Sequence, residues 1–225
     1  MNRPLCDTVA ELLERTYDID RTVVPTGRFV VGDLGLRLML QSRTMRERVD
    51  HDGSGARLLI RPIGEPGSWG AALYLPDALI DHLETHDPRR TLHSQNIDAF
   101  ATLIEEIDHL VTFHDRVCRH GAELSLLDLE WHAVVSQYLV VTHFLARLSG
   151  RAQLIEEQRQ FVEHHLFDKR EYLHADTAVL TRYREAQRWG RDFVCSLRRL
   201  PPDQRLRLLR RFHRASPEQK RRMIT

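Results

Sequence analysis

The pattern of hydrophobic positions changes character near Pro76. Before this residue, three short stretches rich in apolar side chains are bounded by Gly, Pro and Ser, as strands are: 28–33, 57–63 and 71–75. The segment 64–68 predicts a hairpin turn between the second and third stretches. A capping-box pattern, Thr8 followed by Glu11, predicts a leading helix. The first third of the chain therefore predicts a helix followed by a small sheet.

Beyond Pro76, apolar residues recur at helical spacing, and no further strand is predicted. The predicted helices span 77–84, 97–117, 126–148, 151–197 with a break near Asp168, 203–214 and 217–223. Asn96 and Ser125 are predicted N-caps, and the pairs 149–150 (Ser-Gly) and 201–202 (Pro-Pro) are predicted stops. This order of elements differs from the alternation of strands and helices that a parallel α/β sheet requires.

The predicted fold class is α+β. A small N-terminal antiparallel sheet with a leading helix precedes a mostly α-helical body of long packed helices. We expect one domain over residues 1–200, with the sheet in about 22–76 and the helical body in about 77–200. Residues 201–225 are expected to form a basic helical tail.

Composition predicts a cytoplasmic protein that does not cross a membrane. The chain has 225 residues, of which 42% are hydrophobic and 29% charged, and it has no run of the roughly 18 apolar residues that a membrane helix needs. Its first residues lack the apolar core of a secretory signal. The three cysteines are widely spaced and show no Cys-x-x-Cys pattern, so we expect reduced thiols.

Positive charge is concentrated at the C-terminal end. The chain has a net charge of +1, yet residues 182–225 hold fourteen Lys or Arg and four Asp or Glu. Such an end can dock on an acidic surface of a partner or of the protein itself, or neutralise nucleic-acid phosphates. Few aromatic residues lie between the arginines, so a protein partner is favoured over nucleic acid. The residues expected to bind the partner are Arg205, Arg207, Arg210, Arg211 and Arg214. The oligomeric state is left open.

Glu130 is a carboxylate within an apolar helical stripe. Leu127, Val134 and Val141 fall on the same side of its helix. Because burying an ionised carboxylate alone is costly, Glu130 needs a partner. The alternatives are an arginine, a hydrogen bond with Gln137, or a metal or catalytic role.

The preceding helix carries the string Glu105-Glu106-Ile107-Asp108-His109, which with Glu130 resembles the zinc site of gluzincin metalloproteases. In that family, His-Glu-x-x-His supplies two ligands and a general base, and a glutamate on the next helix supplies the third ligand. The resemblance implies Glu105, His109 and Glu130 as ligands of one divalent metal (Zn, Fe or Mn). It implies Glu106 as the general base.

The sequence departs from that family at the first ligand, where Glu105 replaces a histidine. Two carboxylates and one imidazole suit zinc less well and come closer to what iron or manganese accepts. Glu105, Glu106 and His109 share the side of their helix opposite its apolar face. That side is expected either to line a cleft or to be solvated surface.

A rival prediction is a ferritin-like di-iron site. Two Glu-x-x-His pairs and two single glutamates would form it: Glu106 with His109, Glu171 with His174, and Glu130 and Glu163. The sheet-bearing segment ahead of the helices does not fit that family. Elsewhere, His132 and His143 lie with Asp128 and Ser136 on a polar helix side that is expected to be solvated.

Two classes of function remain open. The favoured one is a non-catalytic accessory protein on a zincin-like scaffold, which engages a protein partner through its helical surface and basic tail. The alternative is a metal-dependent, peptidase-like hydrolase that uses the implied ligands and Glu106. The altered first ligand favours the accessory function, and whether the chain is an enzyme is left undecided.

Overall fold

A computed structural model describes residues 4–20, 25–41, 55–65, 67–169 and 176–224. The helices in these ranges are α1 Leu5–Tyr17, α2 Asp33–Gln41, α3 Asp77–Thr85, α4 Ile97–Phe113, α5 Leu126–Leu148, α6 Glu156–Glu163, α7 Thr177–Arg198, α8 Pro202–Arg214 and α9 Pro217–Arg221. The strands are β1 Val30–Val31, β2 Arg57–Pro62 and β3 Trp69–Tyr74. The predicted α+β class, a small sheet after a leading helix and then a helical body, is confirmed.

The sheet has the strand order β1-β3-β2. Strands β2 and β3 form the expected antiparallel hairpin, with Leu58 opposite Leu73. Strand β1 instead pairs in parallel with β3, with Val30 opposite Leu73. The sheet is mixed because β3 lies between β1 and β2, and the sequence pattern does not reveal that order.

Several helix ends differ from the sequence prediction. Helix α1 begins directly after Pro4, and the Thr8 hydroxyl donates back to the Pro4 carbonyl (3.1 Å) instead of capping the helix. Helix α4 stops at Phe113 and continues as a π-helical turn, His114–Arg119. Ser125 caps α5 as predicted, since its hydroxyl accepts the Asp128 N–H (3.1 Å).

The helical body is built around α5, which packs mainly against α4 and α7. Its contact with α7 is close at Gly190, where an added Cβ would lie 2.3 Å from Cγ1 of Val134. Phe212 of α8 is fully buried and stacks on Phe193, with ring centroids 4.4 Å apart. Helix α8 therefore joins the same core. Among the described residues, no helix has both the length and the apolar character that crossing a bilayer requires.

Candidate metal centre

Glu105, Glu106 and His109 of α4 and Glu130 of α5 are all buried, with exposed fractions between 3% and 6%. The expectation that the α4 side chains form solvated surface is therefore wrong. Helix α4 is enclosed on several sides, by α1, α5 and the strands β2 and β3. Its polar side is thus buried together with its apolar side.

Three of these side chains meet across the interface between α4 and α5. One ligand atom each from Glu105, His109 and Glu130 lie within 4.8 Å of one another. The Nε2 atom of His109 is 3.8 Å from Oε2 of Glu130, which is too long for a hydrogen bond. In a tetrahedral site with bonds of about 2.1 Å, ligand atoms lie about 3.4 Å apart, so small side-chain movements would close the cluster on an ion.

His109 is the unusual member of the cluster. Neither of its ring nitrogens has a hydrogen-bond partner within the described part of the chain. Buried polar atoms are normally satisfied, and an exception points to a water or an ion. Burial by itself lowers the pKa of His109, but Glu106, Glu130 and Glu105 outweigh it and raise the pKa to about 10. The carboxylates thus favour a positive charge at this position.

Gln137 of α5 holds Glu105 in place. Its side-chain amide donates to Oε2 of Glu105 (2.7 Å) and to the carbonyl of Ala101 (3.0 Å). The sequence suggested Gln137 as a partner of Glu130, two turns further along the same helix. The structure shows it bonded to Glu105, where it fixes the orientation of the carboxylate as supporting groups around metal ligands do.

Glu106 lies at the other edge of the same imidazole. Its Oε2 atom is 3.8 Å from Nδ1 of His109 and has no hydrogen-bond partner among the described residues. Metal-binding histidines commonly donate their second ring N–H to a carboxylate, which orients the ring. The position of Glu106 fits that role, while its role as general base stays a prediction.

The di-iron prediction gains no support. Glu163 of α6 forms an ion pair with Arg198 of α7, and it is not part of the group of possible metal ligands among the described residues. Glu171 and His174 lie outside the described residues.

A second buried polar cluster was missed by the sequence analysis. Asp108 accepts hydrogen bonds from Ser136 Oγ (2.6 Å) and His132 Nδ1 (2.9 Å). His213 of α8 shares a hydrogen bond with Nε2 of His132 (3.0 Å) and donates to Asp115 (2.9 Å). His132 and Ser136 are fully buried, so the prediction of a solvated helix side is wrong for these two residues, whereas His143 of the same predicted side is exposed.

Burial lowers the pKa of His132 to about 4 despite the opposing effect of Asp108. The ring is therefore neutral and acts as a bridge between Asp108 and His213. Asp128, also expected in solvent, is buried between Arg116 and Lys220, and the Lys220 ammonium is 2.6 Å from its Oδ1. No local pattern reveals these contacts, because His213 and Lys220 come from the end of the chain.

The arginines predicted to bind a partner have different surroundings. Arg205 donates to the carbonyls of Leu200 (2.6 Å) and Arg198 (2.9 Å), at the end of α7. The others line or border an open cleft of about 530 Å³, which also includes Asp18 of α1: Arg207, Arg210, Arg211 and Arg214. Arg214 pairs with Asp18 (3.0 Å), so part of the basic end docks on the protein itself.

The gluzincin resemblance rests on a handful of residues and their spacing, so comparison with known proteins would be its natural test. No family model, curated protein or solved structure matches this chain. Function has to be argued from the site alone, because a shared fold would in any case not establish it.

Proposed function

We propose that this protein is a metal-dependent hydrolase with one divalent ion bound by Glu105, His109 and Glu130. The observation that carries the proposal is His109, a buried imidazole with two unpartnered nitrogens that lies 3.8 Å from a carboxylate of the next helix. A metal ion would satisfy the Nε2 atom and bind one oxygen of each ligand carboxylate.

The number of ligands favours catalysis over a structural role. Structural zinc sites are closed by four protein ligands, whereas catalytic sites keep a position open for water or substrate. The cluster offers three protein ligands among the described residues. An ion held there can activate water and polarise a carbonyl or phosphoryl oxygen.

The donor set favours manganese or iron, with zinc as the third choice. Carboxylate oxygens suit the harder ions, while a single imidazole is accepted by all three. The position of Glu106 supports a role in orienting His109. The resemblance implies a second role, in which Glu106 would accept a proton from water bound to the metal.

Metal analysis tests the binding step. Protein purified without added metal and then dialysed against Mn²⁺ should hold one ion per chain, and Glu130→Gln and His109→Ala should each lose it. His143→Ala, which changes an exposed histidine of α5, is the matched control and should keep the ion. Folded wild-type protein that holds no ion would contradict the proposal.

Hydrolysis is tested on the metal-loaded protein with chromogenic amides, esters and phosphodiesters. Glu106→Gln should retain the ion if Glu106 is not a ligand. A loss of turnover of about 10²-fold or more would support a proton-transfer role, whereas unchanged turnover would limit Glu106 to orienting His109. Metal-loaded protein that turns over none of the three bond classes would favour the accessory function.

The accessory function has an observation of its own. The cleft between α1 and α8 presents four arginines, of which Arg207, Arg211 and Arg214 are exposed, and Arg214 is paired with Asp18. This surface complements an acidic protein surface. Because α8 belongs to the core, the test is charge reversal, Arg207→Glu with Arg211→Glu, rather than deletion of the helix. A partner bound by the wild type should be lost, while the unfolding free energy stays within about 0.5 kcal/mol.

We also infer a cytoplasmic location. Cys6, Cys118 and Cys195 are all free thiols, as is usual in a reducing compartment. Cell fractionation would test this inference, and recovery of the protein outside the cytoplasmic fraction would contradict it.

A further inference from the structure

A cavity of about 490 Å³ lies between α5, α7 and the loop that leads into α6. This volume falls within the range of small-molecule sites, about 300–1,000 Å³. Its lining contains none of the metal-cluster residues. Tyr138, the lining residue of α5 nearest to Glu130, follows it by eight residues, or about 12 Å along the helix axis. The cavity is therefore separate from the candidate metal centre.

We infer that this cavity binds a small organic anion, with an oxyanion head held by arginines and an apolar body against its inner wall. Four arginines line it, contributed by three helices: Arg159 of α6, Arg198 and Arg199 from the end of α7, and Arg205 of α8. No aspartate or glutamate lines it. Arginine is the residue best suited to bidentate recognition of carboxylate and phosphate.

Two of these arginines are already paired. Arg198 forms an ion pair with Glu163, and Arg159 pairs with Glu156 (3.1 Å). Arg199 forms no ion pair with a carboxylate of the described ranges. The same holds for Arg205, whose Nε and Nη2 donate to backbone carbonyls while Nη1 has no such bond there. The cavity therefore carries positive charge that neighbouring carboxylates do not cancel.

The carbonyls at the end of α7 explain part of this arrangement, because cations are favoured at helix C-termini. They explain Arg205, which bonds to them directly. They do not explain the side chain of Arg199, which is exposed and whose guanidinium donates to none of the described groups.

The inner wall supplies the features of a ligand site. Leu154 and Ala146 give it an apolar surface, and Leu154 is buried. The Thr142 hydroxyl is buried and lies near enough to Tyr138 to interact with its hydroxyl, but within the described structure it forms no hydrogen bond of normal geometry. Small-molecule sites combine such an apolar surface with a few polar groups that fix orientation. A ligand oxygen would satisfy the Thr142 hydroxyl.

Cys195 gives the cavity a reporter. Its thiol lines the cavity and is exposed, while the exposed thiol of Cys118 lies at the end of the π-helical turn after α4. The rates at which N-ethylmaleimide modifies the two cysteines in the same full-length protein can be followed by peptide mass spectrometry. Phenyl phosphate and benzoate are probes that carry different anionic groups on the same aromatic ring. Inorganic phosphate has the anionic group without the ring, and benzyl alcohol has the ring without a charge.

We expect phenyl phosphate or benzoate to slow modification of Cys195 with a Kd on the order of 1 mM, and to leave Cys118 unchanged. If phenyl phosphate binds more tightly than benzoate, the natural ligand carries a phosphate group, and the reverse order identifies a carboxylate. Inorganic phosphate and benzyl alcohol should protect Cys195 with a Kd that is higher by about tenfold or more. Equal protection by benzyl alcohol, equal slowing of both cysteines, or no protection by either anion would overturn the inference.

A matched pair of variants locates the contact. Arg199→Gln should weaken protection by about tenfold, the effect of one charge-assisted hydrogen bond. Arg188→Gln changes an exposed arginine of the same helix that does not line the cavity, and it should have no effect. If both variants weaken protection equally, or neither does, the proposed contact is wrong. Neither outcome bears on the metal centre, since the two sites share no residue.

Discussion

His213 of α8 shares a hydrogen bond of 3.0 Å with His132 of α5, although 81 positions separate the two residues. The other ring nitrogen of His213 donates to Asp115 (2.9 Å). A fully buried side chain from near the end of the chain thus completes a polar cluster inside the helical body. Helix α8 is part of the folded unit, whatever its exposed arginines bind.

The first prediction concerns His213. His213→Ala leaves Nε2 of His132 and Oδ2 of Asp115 without their hydrogen-bond partner in a buried environment, and it removes a packed ring. We expect the free energy of unfolding to fall by about 3 kcal/mol, measured by urea denaturation. His143→Ala, at an exposed site, should change it by about 0.5 kcal/mol or less. Equal effects of the two substitutions would show that the buried cluster contributes little.

The second prediction is a pH dependence that arises from Lys220. Burial lowers the pKa of this lysine from 10.5 to about 8, against the opposing effect of Asp128. Arg116 still balances Asp128 when Lys220 loses its proton. Between pH 8 and about pH 10, the unfolded chain therefore holds more protons at this position than the folded chain, so the contribution of Lys220 to the free energy of unfolding rises with pH.

Lys220→Met should remove this contribution. The free energy of unfolding of the wild type minus that of Lys220→Met should rise between pH 8 and about pH 10, by at most about 1.4 kcal/mol per pH unit. The only other lysine in the sequence, Lys169, is partly exposed and provides the control, Lys169→Met. Parallel curves for wild type and Lys220→Met would refute the assignment.

The third prediction tests the contact between α5 and α7. An added Cβ at Gly190 would lie 2.3 Å from Cγ1 of Val134, so Gly190→Ala should destabilise the fold by about 1–3 kcal/mol. Val134→Ala removes the clashing methyl groups. The double variant should therefore lose less unfolding free energy than the sum of the losses in the two single variants. A double-mutant cycle in urea measures this difference. Strict additivity would mean that the helices do not approach this closely.

Sequence reasoning predicted the buried cluster of Glu105, His109 and Glu130 only in part. The position of Glu130 in an apolar stripe was sufficient to predict its burial. The burial of Glu105 and His109 was not predictable, because one amphipathic pattern implies one buried face, whereas α4 has neighbours on several sides. The contact of His213 with His132 depends on how α8 folds back, which no local pattern encodes.

The fold was predictable to a similar degree. Strong turn residues placed the hairpin of β2 and β3, and Ser125 marked the start of α5. Helix α2, Asp33–Gln41, was not predicted, and its three most exposed leucines obscure any amphipathic pattern: Leu34, Leu38 and Leu40. The parallel pairing of β1 covers only two residues and depends on tertiary packing.

The most direct test of the central claim is an anomalous-scattering map from crystals of the protein grown with Mn²⁺. The account predicts one strong peak between α4 and α5, about 2.0–2.2 Å from Nε2 of His109 and from a carboxylate oxygen of Glu105 and of Glu130. A map with no peak at these three residues, or with manganese bound only elsewhere, would contradict it.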